Sequence, residues 1–324
     1  MMKLRTLGQT GIQISPIGLG CWQFSNGLSV IRDYWGGMDD GKAADIVDVS
    51  LKGGINWFDT AEIYGLGTSE QILSSSLKKN NQKPGDVVIA TKWFPGMRFA
   101  GSILRTIDTR IKNLGGYPID LHQIHMPFSF SGLETQMRAM AKLVKEGKIR
   151  SVGVSNFSAA QMRRSHQVLQ AHGLVLASNQ VPYSLMNRAI ERNGVLETAQ
   201  ELGISIIAYS PLEQGLLSGR FHRDPAAVRS ISVYRRMKYN GRLSDEGLKQ
   251  SQPLINRMTE LGDKYGVLPA QVALNWVVTY HGETVVAIPG ATKPHHAAQN
   301  AAAMSFELTP EEGRELDELS KHLG

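Results

Sequence analysis

Polar and titratable side chains recur along this sequence, each just after a short apolar run. The series is Asp59, Lys92, His125, Ser155, Gln180 and Tyr209, with intervals of 33, 33, 30, 25 and 29 residues. Taken singly, each has an ordinary structural explanation, such as a turn or helix cap for the Asp. Together, at near-constant spacing, they predict one rim on which the ends of successive strands converge.

The chemistry that these residue types support is proton transfer to a carbonyl oxygen. A free phenol has a pKa of about 10, and a nearby ammonium group favours the phenolate and lowers that pKa. With Lys92 beside it, Tyr64 could act as a general acid toward an oxygen that gains negative charge. Asp59 would keep Lys92 charged and in place, and His125 could orient the carbonyl or share in proton transfer. The set suits hydride addition but supplies no hydride, so it predicts a cofactor.

The residues that several other kinds of site would need are absent from this sequence. The single cysteine, Cys21, excludes an internal disulfide and a cysteine zinc site, and no second His or Cys stands at metal-ligand spacing. We therefore predict no metal. The Gly-x-Ser-x-Gly elbow of many hydrolases is absent, and paired carboxylates for glycoside hydrolysis are not evident.

Short apolar runs rich in Val, Ile and Ala alternate with amphipathic stretches of helical period. Runs of four to six residues, nearly continuous, are typical of strands buried on both faces of a parallel sheet. The runs are Ile17–Cys21, Ile55–Phe58, Val87–Ala90, Ile119–Ile124, Ser151–Val154, Leu176–Asn179, Ile204–Ala208 and Val285–Ile288. The helical stretches lie near 41–53, 68–80, 100–114, 133–147, 158–172, 189–202, 252–264, 269–280 and 294–302. This α/β pattern predicts a (β/α)8 TIM barrel, one domain over residues 1–324.

Both ends of the chain depart from the alternation. Leu4–Ser15 contains a Gly-x-Thr-Gly turn and predicts an N-terminal hairpin that caps one end of the barrel. Thr309–Glu312 has the pattern of a capping box with Pro at the first helical position, and it predicts an extra C-terminal helix.

Composition and charge narrow the class of protein. No apolar run approaches the roughly 18 residues that span a bilayer, and the start lacks the apolar core of a signal peptide, so we expect a cytoplasmic protein without a membrane partner. The net charge is +6, and residues 213–250 hold eight Lys or Arg against four Asp or Glu. This segment has no long basic run and no interleaved aromatic platform, so we predict no nucleic-acid partner.

Motifs over nearly the whole chain share one order. They are Leu7–Gly11, Gly18–Trp22, Phe58–Gly65, Ile89–Lys92, Asp120–His125, Gly153–Phe157, Asn179–Ser184, Ala208–Leu212 and Ile288–Lys293. With these motifs the sequence resembles the aldo-keto reductase superfamily, in its bacterial NADPH-dependent form. The resemblance implies reversible, NADPH-dependent reduction of small-molecule aldehydes and ketones to alcohols. It also implies a catalytic tetrad of Asp59, Tyr64, Lys92 and His125.

The same resemblance implies a cofactor site on the barrel without a Rossmann domain. Ser155, Asn156 and Gln180 would bind the nicotinamide amide, and Tyr209 would stack on its ring. The implied pyrophosphate residues are Ser210, Leu212, Gln214 and Ser218, and those of the adenosine ribose and its 2′-phosphate are Gly290, Thr292, Lys293 and Asn300. Many relatives carry an arginine a few residues past Lys293, where this chain has Pro294–His296. Lys293 lacks the bidentate fork of Arg, so NADH stays open as a weaker alternative.

Two other functions stay open on the same fold. One is a regulatory subunit that binds NADP without turnover; the other is a Schiff-base aldolase with Lys92 as the amine nucleophile. For the substrate, Trp22, Trp93 and Met126, with Phe24 and Phe94, come just past strand ends and are expected to line an apolar pocket. Packing on the rim is the alternative for each of them, and the insertion Ser25–Asp40 could add a wall. The substrate and the oligomeric state are not predicted.

Overall fold

A closed barrel of parallel strands organises this protein. The computed structural model describes residues 3–25, 38–231, 236–237 and 239–323, so most of the insertion expected at Ser25–Asp40 lies outside the described residues. Eight parallel strands of the described chain form one sheet in sequence order. They are β3 Leu19–Gly20, β4 Trp57–Asp59, β5 Val88–Trp93, β6 Leu121–Ile124, β7 Ser151–Ser155, β8 Leu176–Pro182, β9 Ser205–Tyr209 and β10 Val285–Ala287. Parallel bridges from Ile17 to Ala287 and from Gly20 to Gly290 join the first strand to the last, and the predicted (β/α)8 barrel is confirmed.

The barrel interior has an apolar layer below a polar one. Because strand side chains alternate between faces, Trp57 and Asp59 on β4 share a face, as do Leu121 and Gln123 on β6. Trp57, Ala90, Leu121, Ile207 and Val286 pack into one buried apolar cluster. The next inward positions toward the carboxyl ends carry Asp59, Lys92, Gln123 and Gln180, all buried. The polar side chains therefore lie at one end of the barrel, above this apolar cluster, which we call the hydrophobic floor.

A two-stranded hairpin closes the other end. β1 Arg5–Thr6 pairs antiparallel with β2 Gln13–Ile14, and Leu7 joins the apolar cluster inside the barrel. The Gly8 amide donates to Ser205 Oγ at 2.8 Å. The N-terminal hairpin is thus present as predicted and packs against the hydrophobic floor.

Helices surround the sheet and bury their apolar faces against it. Those with described bounds are α1 Asp40–Lys52, α2 Thr68–Lys79, α3 Gly101–Asn113, α4 Leu133–Lys145, α5 Ala159–Gln170, α6 Ala189–Arg192, α7 Val195–Leu202, α8 Arg220–Arg223, α9 Asn240–Leu243, α10 Asp245–Tyr265, α11 Pro269–Thr279, α12 Pro294–Ala302 and α13 Pro310–Ser320. α13 is the predicted extra helix, with Thr309 and Glu312 forming its capping box. Within the described residues, none of the helices is both long and apolar enough to cross a membrane.

Two helix boundaries differ from the sequence prediction. The helix expected over 189–202 is divided into α6 and α7, because Gly194 adopts a left-handed backbone with φ 78° and interrupts the helix. The helix expected over 252–264 begins at Asp245 instead, where the Ser244 hydroxyl accepts from the Gly247 amide. Pro253 lies inside this helix.

Candidate active site

A buried ammonium group occupies the centre of the polar layer. Lys92 is fully buried, and its Nζ donates to Asp59 Oδ1, to the carbonyl oxygen of Thr60 at 2.9 Å and to the Tyr64 hydroxyl at 3.4 Å. All three protons of the ammonium group therefore have acceptors. Burial alone would lower the pKa of Lys92, but the charge of Asp59 and the hydrogen bonds of this cluster raise it above its usual value. Lys92 is consequently a fixed positive charge directly behind the phenol.

The second carboxylate oxygen of Asp59 is held by two amides. Gln123 Nε2 lies 3.0 Å and Gln180 Nε2 lies 2.9 Å from Asp59 Oδ2. Gln123 is completely buried, and sequence reasoning missed it. Its position was detectable, since Gln123 stands two residues before His125 and pairs in register with Lys92. Asp59 is thereby fixed from both sides.

Tyr64 presents its hydroxyl to Lys92 from a tight turn. The residues that follow it, Gly65 and Leu66, have φ of 62° and 54°, so the chain folds back sharply at this point. Burial raises the pKa of Tyr64, and the charge of Lys92 lowers it by less. The prediction from sequence that Lys92 lowers this pKa overall is wrong, because the ring is buried and the net direction of the pKa shift is upward. The phenol is therefore protonated at neutral pH.

His125 stands edge-on to the phenol ring. The ring centroids of Tyr64 and His125 are 5.7 Å apart at 82°, and Phe94 flanks the imidazole on another side at 5.8 Å. Burial lowers the pKa of His125 to about 3, and the charge of Lys92 acts in the same direction. The imidazole is therefore neutral at physiological pH, and it is suited to hydrogen bonding more than to carrying charge.

These groups open onto a cavity of about 710 Å³. It is lined by most of the residues singled out from sequence, namely Trp22, Asp59, Tyr64, His125, Met126, Ser155, Asn156, Gln180, Tyr209, Ser210, Leu212, Gln214, Ser218, Gly290, Thr292 and Asn300. Lys92 lies behind this wall, in contact with Asp59 and Tyr64. Arg220 and His296, which were not among the predicted site residues, also line the cavity.

A connected set of polar groups borders the cavity beside His125. Asn156, at φ 62°, donates from Nδ2 to the His125 carbonyl oxygen at 3.2 Å and to Ser155 Oγ at 3.0 Å. Its Oδ1 accepts from the Tyr209 hydroxyl at 3.0 Å, and Ser155 Oγ donates to the Gln180 carbonyl oxygen at 2.8 Å. A side-chain amide, two hydroxyl groups and an aromatic ring thus stand together at one edge of the cavity.

The loop after β9 lines the cavity in a strained conformation. Ser210, Glu213 and Gln214 all have positive φ, at 52°, 47° and 55°, which is unfavourable for residues other than glycine. Glu213 anchors the loop, since it accepts from Ser184 Oγ at 2.9 Å and from Arg242 Nη1 at 2.7 Å. Residues held in such conformations concentrate at ligand sites. Ser210, Gln214 and Arg220 all line the cavity, so this strained loop is a candidate ligand-binding segment.

Three of the residues predicted for the site do not line the cavity. Trp93 is 1% exposed and donates from Nε1 to Ser102 Oγ at 3.0 Å, so it packs behind the wall and does not line the cavity. Phe24 is likewise buried. The reason is strand alternation, because Trp93 follows the inward-facing Lys92 on β5 and points to the other face. Lys293 is exposed at the start of α12 and is not part of the cavity lining.

Comparison with known proteins identifies the family. The model of the aldo/keto reductase family matches residues 16–321. This chain belongs to the aldo/keto reductase family. An uncharacterized oxidoreductase of Mycobacterium bovis is 37% identical over 303 residues, 92% of this chain and 86% of the relative. The resemblance found in the sequence is thereby confirmed, and the protein is an oxidoreductase.

Solved structures of the family share the fold. A glycerol dehydrogenase from Gluconobacter oxydans aligns with a TM-score of 0.83 at 28% identity, covering 98% of this chain and 95% of its own. An aldo-keto reductase from Klebsiella pneumoniae in complex with NADPH aligns with a TM-score of 0.72 at 26% identity, covering 99% and 96%. The family barrel therefore accounts for the observed element order from end to end.

Proposed function

We propose that this reductase uses NADPH to reduce small-molecule aldehydes and ketones to alcohols, and that residues 1–324 act as one catalytic unit. The observation that carries the proposal is the Tyr64 hydroxyl, which borders the cavity with Lys92 Nζ behind it at 3.4 Å. A neutral phenol backed by a fixed positive charge can release its proton to a developing alkoxide, because the charge stabilises the phenolate left behind.

Each member of the tetrad then has one task. When bound, NADPH supplies the hydride to the carbonyl carbon, and Tyr64 gives the hydroxyl proton to the carbonyl oxygen. Lys92 stabilises the resulting phenolate, and Asp59 holds Lys92 in place. The neutral imidazole of His125 orients the carbonyl by a hydrogen bond. In the reverse direction, Tyr64 takes the proton back from the alcohol.

The cavity suits a dinucleotide in its volume of about 710 Å³ and in the order of its polar groups. Ser155, Asn156 and Gln180 would hold the nicotinamide amide, and the Tyr209 ring would stack on it. The pyrophosphate would lie along Ser210, Leu212, Gln214 and Ser218. Gly290, Thr292 and Asn300 would hold the adenosine end, and Lys293 would reach its 2′-phosphate from the exposed start of α12.

NADPH is proposed as the main cofactor and NADH as a weaker alternative. The Klebsiella pneumoniae relative in complex with NADPH supports this assignment. Trp22 and Met126, which line the cavity near Tyr64 and His125, would contact the substrate. We further propose a cytoplasmic location, where NADPH and small carbonyl compounds are available.

The structure weighs against the aldolase alternative. A Schiff-base lysine needs a neutral amine with a free lone pair, whereas Lys92 Nζ makes three hydrogen bonds and its pKa is raised. The regulatory-subunit alternative differs in turnover alone. A panel of aldehydes and ketones assayed by NADPH absorbance separates it from the proposed enzyme, since a regulatory subunit would bind NADPH and consume none.

The decisive variant is Tyr64→Phe, which keeps the ring and removes the proton donor. We expect kcat to fall at least about 100-fold, within the usual range for general acid catalysis, with the Kd for NADPH nearly unchanged. Tyr117→Phe is the matched control, because Tyr117 hydrogen-bonds Gln82 O away from the cavity. A near-normal kcat for Tyr64→Phe would refute the assignment.

A further inference from the structure

Hydrogen bonding within the described residues does not explain how the His125 imidazole is oriented. Its Nδ1 is buried and has no hydrogen-bond partner in the described part of the chain. The contact between His125 and Asn156 is made by the backbone carbonyl oxygen of His125 and does not involve the ring. A functional histidine is commonly oriented by a hydrogen bond to the ring nitrogen that faces away from the ligand. Another interaction must therefore hold this ring in the orientation that the proposed reaction needs.

Two aromatic rings contact the imidazole edge-on. The Tyr64 ring has its centroid 5.7 Å from that of His125 at 82°, and the Phe94 ring has its centroid 5.8 Å away at 85°. Edge-to-face contacts of this kind are a favoured geometry of aromatic pairs. Tyr64 is the proton donor of the proposed reaction, whereas Phe94 has no titratable group. The contribution of Phe94 to the site is therefore the position that its ring imposes on the imidazole.

The backbone of Phe94 is held at both of its polar groups. Its amide donates to Glu62 Oε1 at 2.6 Å, and its carbonyl oxygen accepts from Arg98 Nη1 at 3.0 Å. The same Arg98 nitrogen donates to Glu62 Oε1 at 2.6 Å, so the three groups close a ring of hydrogen bonds. Glu62 precedes Tyr64 by two residues, and its carboxylate ties the turn that carries the phenol to the end of β5. The Phe94 ring thus projects from a fixed backbone, as a residue that orients another must.

We propose that Phe94 is a positioning residue that holds the His125 imidazole in the plane in which it can hydrogen-bond a carbonyl substrate. Loss of the Phe94 ring leaves the imidazole in the site but lets it rotate, so that the hydrogen bond to the carbonyl is misplaced. A misplacement of about 1 Å in an active site can cost about 100-fold in rate. This inference rests on the proposed carbonyl reduction, in which His125 orients the substrate.

Phe94→Leu tests the inference, because it removes the ring and keeps apolar bulk. We expect kcat/KM for a reactive aldehyde to fall about three- to tenfold, which corresponds to the loss of one aromatic pair, with the Kd for NADPH unchanged. Phe94→Tyr keeps the ring and should retain most of the activity. Phe99→Leu is the matched control, since Phe99 is 63% exposed and contacts the ring of Phe130. The control should match the wild type.

A double-mutant cycle shows whether Phe94 acts through the imidazole. His125→Ala alone should lower kcat/KM about 100-fold, as for the loss of one preorganised hydrogen-bond donor. In the protein with both substitutions, Phe94→Leu should add little to this loss, because no imidazole is left to position. If the two losses multiply instead, Phe94 acts on the substrate or on the fold, and the inference is wrong.

Nuclear magnetic resonance of the ligand-free protein reports the orientation of the imidazole directly. With histidine and tyrosine labelled, the signals of His125 are assigned by their disappearance in His125→Ala. We expect nuclear Overhauser contacts between the imidazole and the Tyr64 ring in the wild type, and we expect Phe94→Leu to weaken them. Phe99→Leu should leave these contacts unchanged. Thermal unfolding of each variant shows whether the compared proteins are folded.

The outcomes separate this inference from the proposed function. If Phe94→Leu reduces carbonyls as well as the wild type does, or if its imidazole keeps the contacts with Tyr64, the inference is wrong even though the protein is a reductase. If the wild-type protein reduces no carbonyl with NADPH, the proposed function and the inference fail together.

Discussion

Two clusters of charged side chains include residues at the carboxyl end of β4 or just after it. One lies inside the barrel and the other lies outside it. Asp59 and Lys92 pair inside the barrel, beneath the Tyr64 hydroxyl. Three residues after Asp59, Glu62 accepts from Arg98 Nη1 at 2.6 Å and from Arg110 Nη1 at 2.9 Å. In the inner cluster the ammonium group also touches a hydroxyl that borders the cavity.

The outer cluster consists of Glu62, Glu70, Arg98 and Arg110. None of its described contacts is with a group that borders the cavity. Arg110 Nε lies 3.0 Å from Glu70 Oε2, and Thr91 Oγ1 donates to Glu70 Oε1 at 2.7 Å. Thr91 and Lys92 are neighbours on β5 and point to opposite faces. Under the proposed function, Lys92 would therefore serve catalysis on one side of the sheet, while Thr91 supports the structure on the other. A buried ion pair indicates function only where one of its atoms can reach a ligand.

Lys92→Met should produce the largest effect, and it falls on activity. The substitution removes the charge that stabilises the phenolate, so we expect kcat to fall about 10²–10⁴-fold. Steady-state kinetics on a reactive aldehyde and NADPH titration check this. Because Asp59 is left unpaired, thermal unfolding must be followed as well, to show that the assayed protein is folded. A variant with more than a tenth of normal kcat would remove the functional distinction between the clusters.

Arg110→Met tests the other side of the comparison, and its effect should fall on stability. Two buried carboxylates, Glu62 and Glu70, lose their common partner, and breaking a buried pair costs about 3–5 kcal/mol. We expect urea unfolding to show this loss, with kcat of the folded variant within about tenfold of normal. Arg105→Met on the same helix is the control. Undiminished stability would show that the outer cluster is not architectural.

Gln123→Leu should have the smallest of these effects. It removes one of two amide donors to Asp59 Oδ2, and a hydrogen bond to a charged group contributes about 1.5–3 kcal/mol. Since the bond from Gln180 remains, we expect a loss in kcat of about tenfold and an unchanged Kd for NADPH. Gln136→Leu, at a buried glutamine on α4, is the control. If the loss appeared only in cofactor affinity, Gln123 would not act through Asp59.

The repeated strand and helix pattern could be predicted from the sequence. Contacts that depend on how the helices and strands pack together could not. Strand positions followed from apolar runs, and the spacing of Asp59, Lys92 and His125 placed three inward residues on one rim. The prediction for Trp93 was wrong in placement because β5 continues past Lys92 and alternation turns Trp93 outward. Strand pairing could have indicated Gln123, which stands opposite Lys92.

Other groups had no local signal. Glu62 and Arg110 stand 48 residues apart, and their pairing depends on how α3 packs beside the turn that carries Tyr64. The sign of the Tyr64 pKa shift also depends on burial, which opposes the charge of Lys92. The effect of a neighbouring charge on a pKa can be predicted from residue types, whereas the effect of desolvation can be predicted only when the burial of the group in the fold is known.

The residues of the hydrophobic floor stabilise the barrel, and they are different from the residues that would carry out the chemistry. Trp57, Leu121 and Ile207 pack with the hairpin residue Leu7, one layer below the groups that carry charge. Replacement of a buried ion pair by apolar side chains of similar volume is often neutral or stabilising. The buried ion pair of the polar layer could therefore be replaced as a whole while the hydrophobic floor keeps the strand register. In this protein the polar side chains can therefore be replaced while the fold is kept, so that a related protein can have a different chemistry on the same barrel.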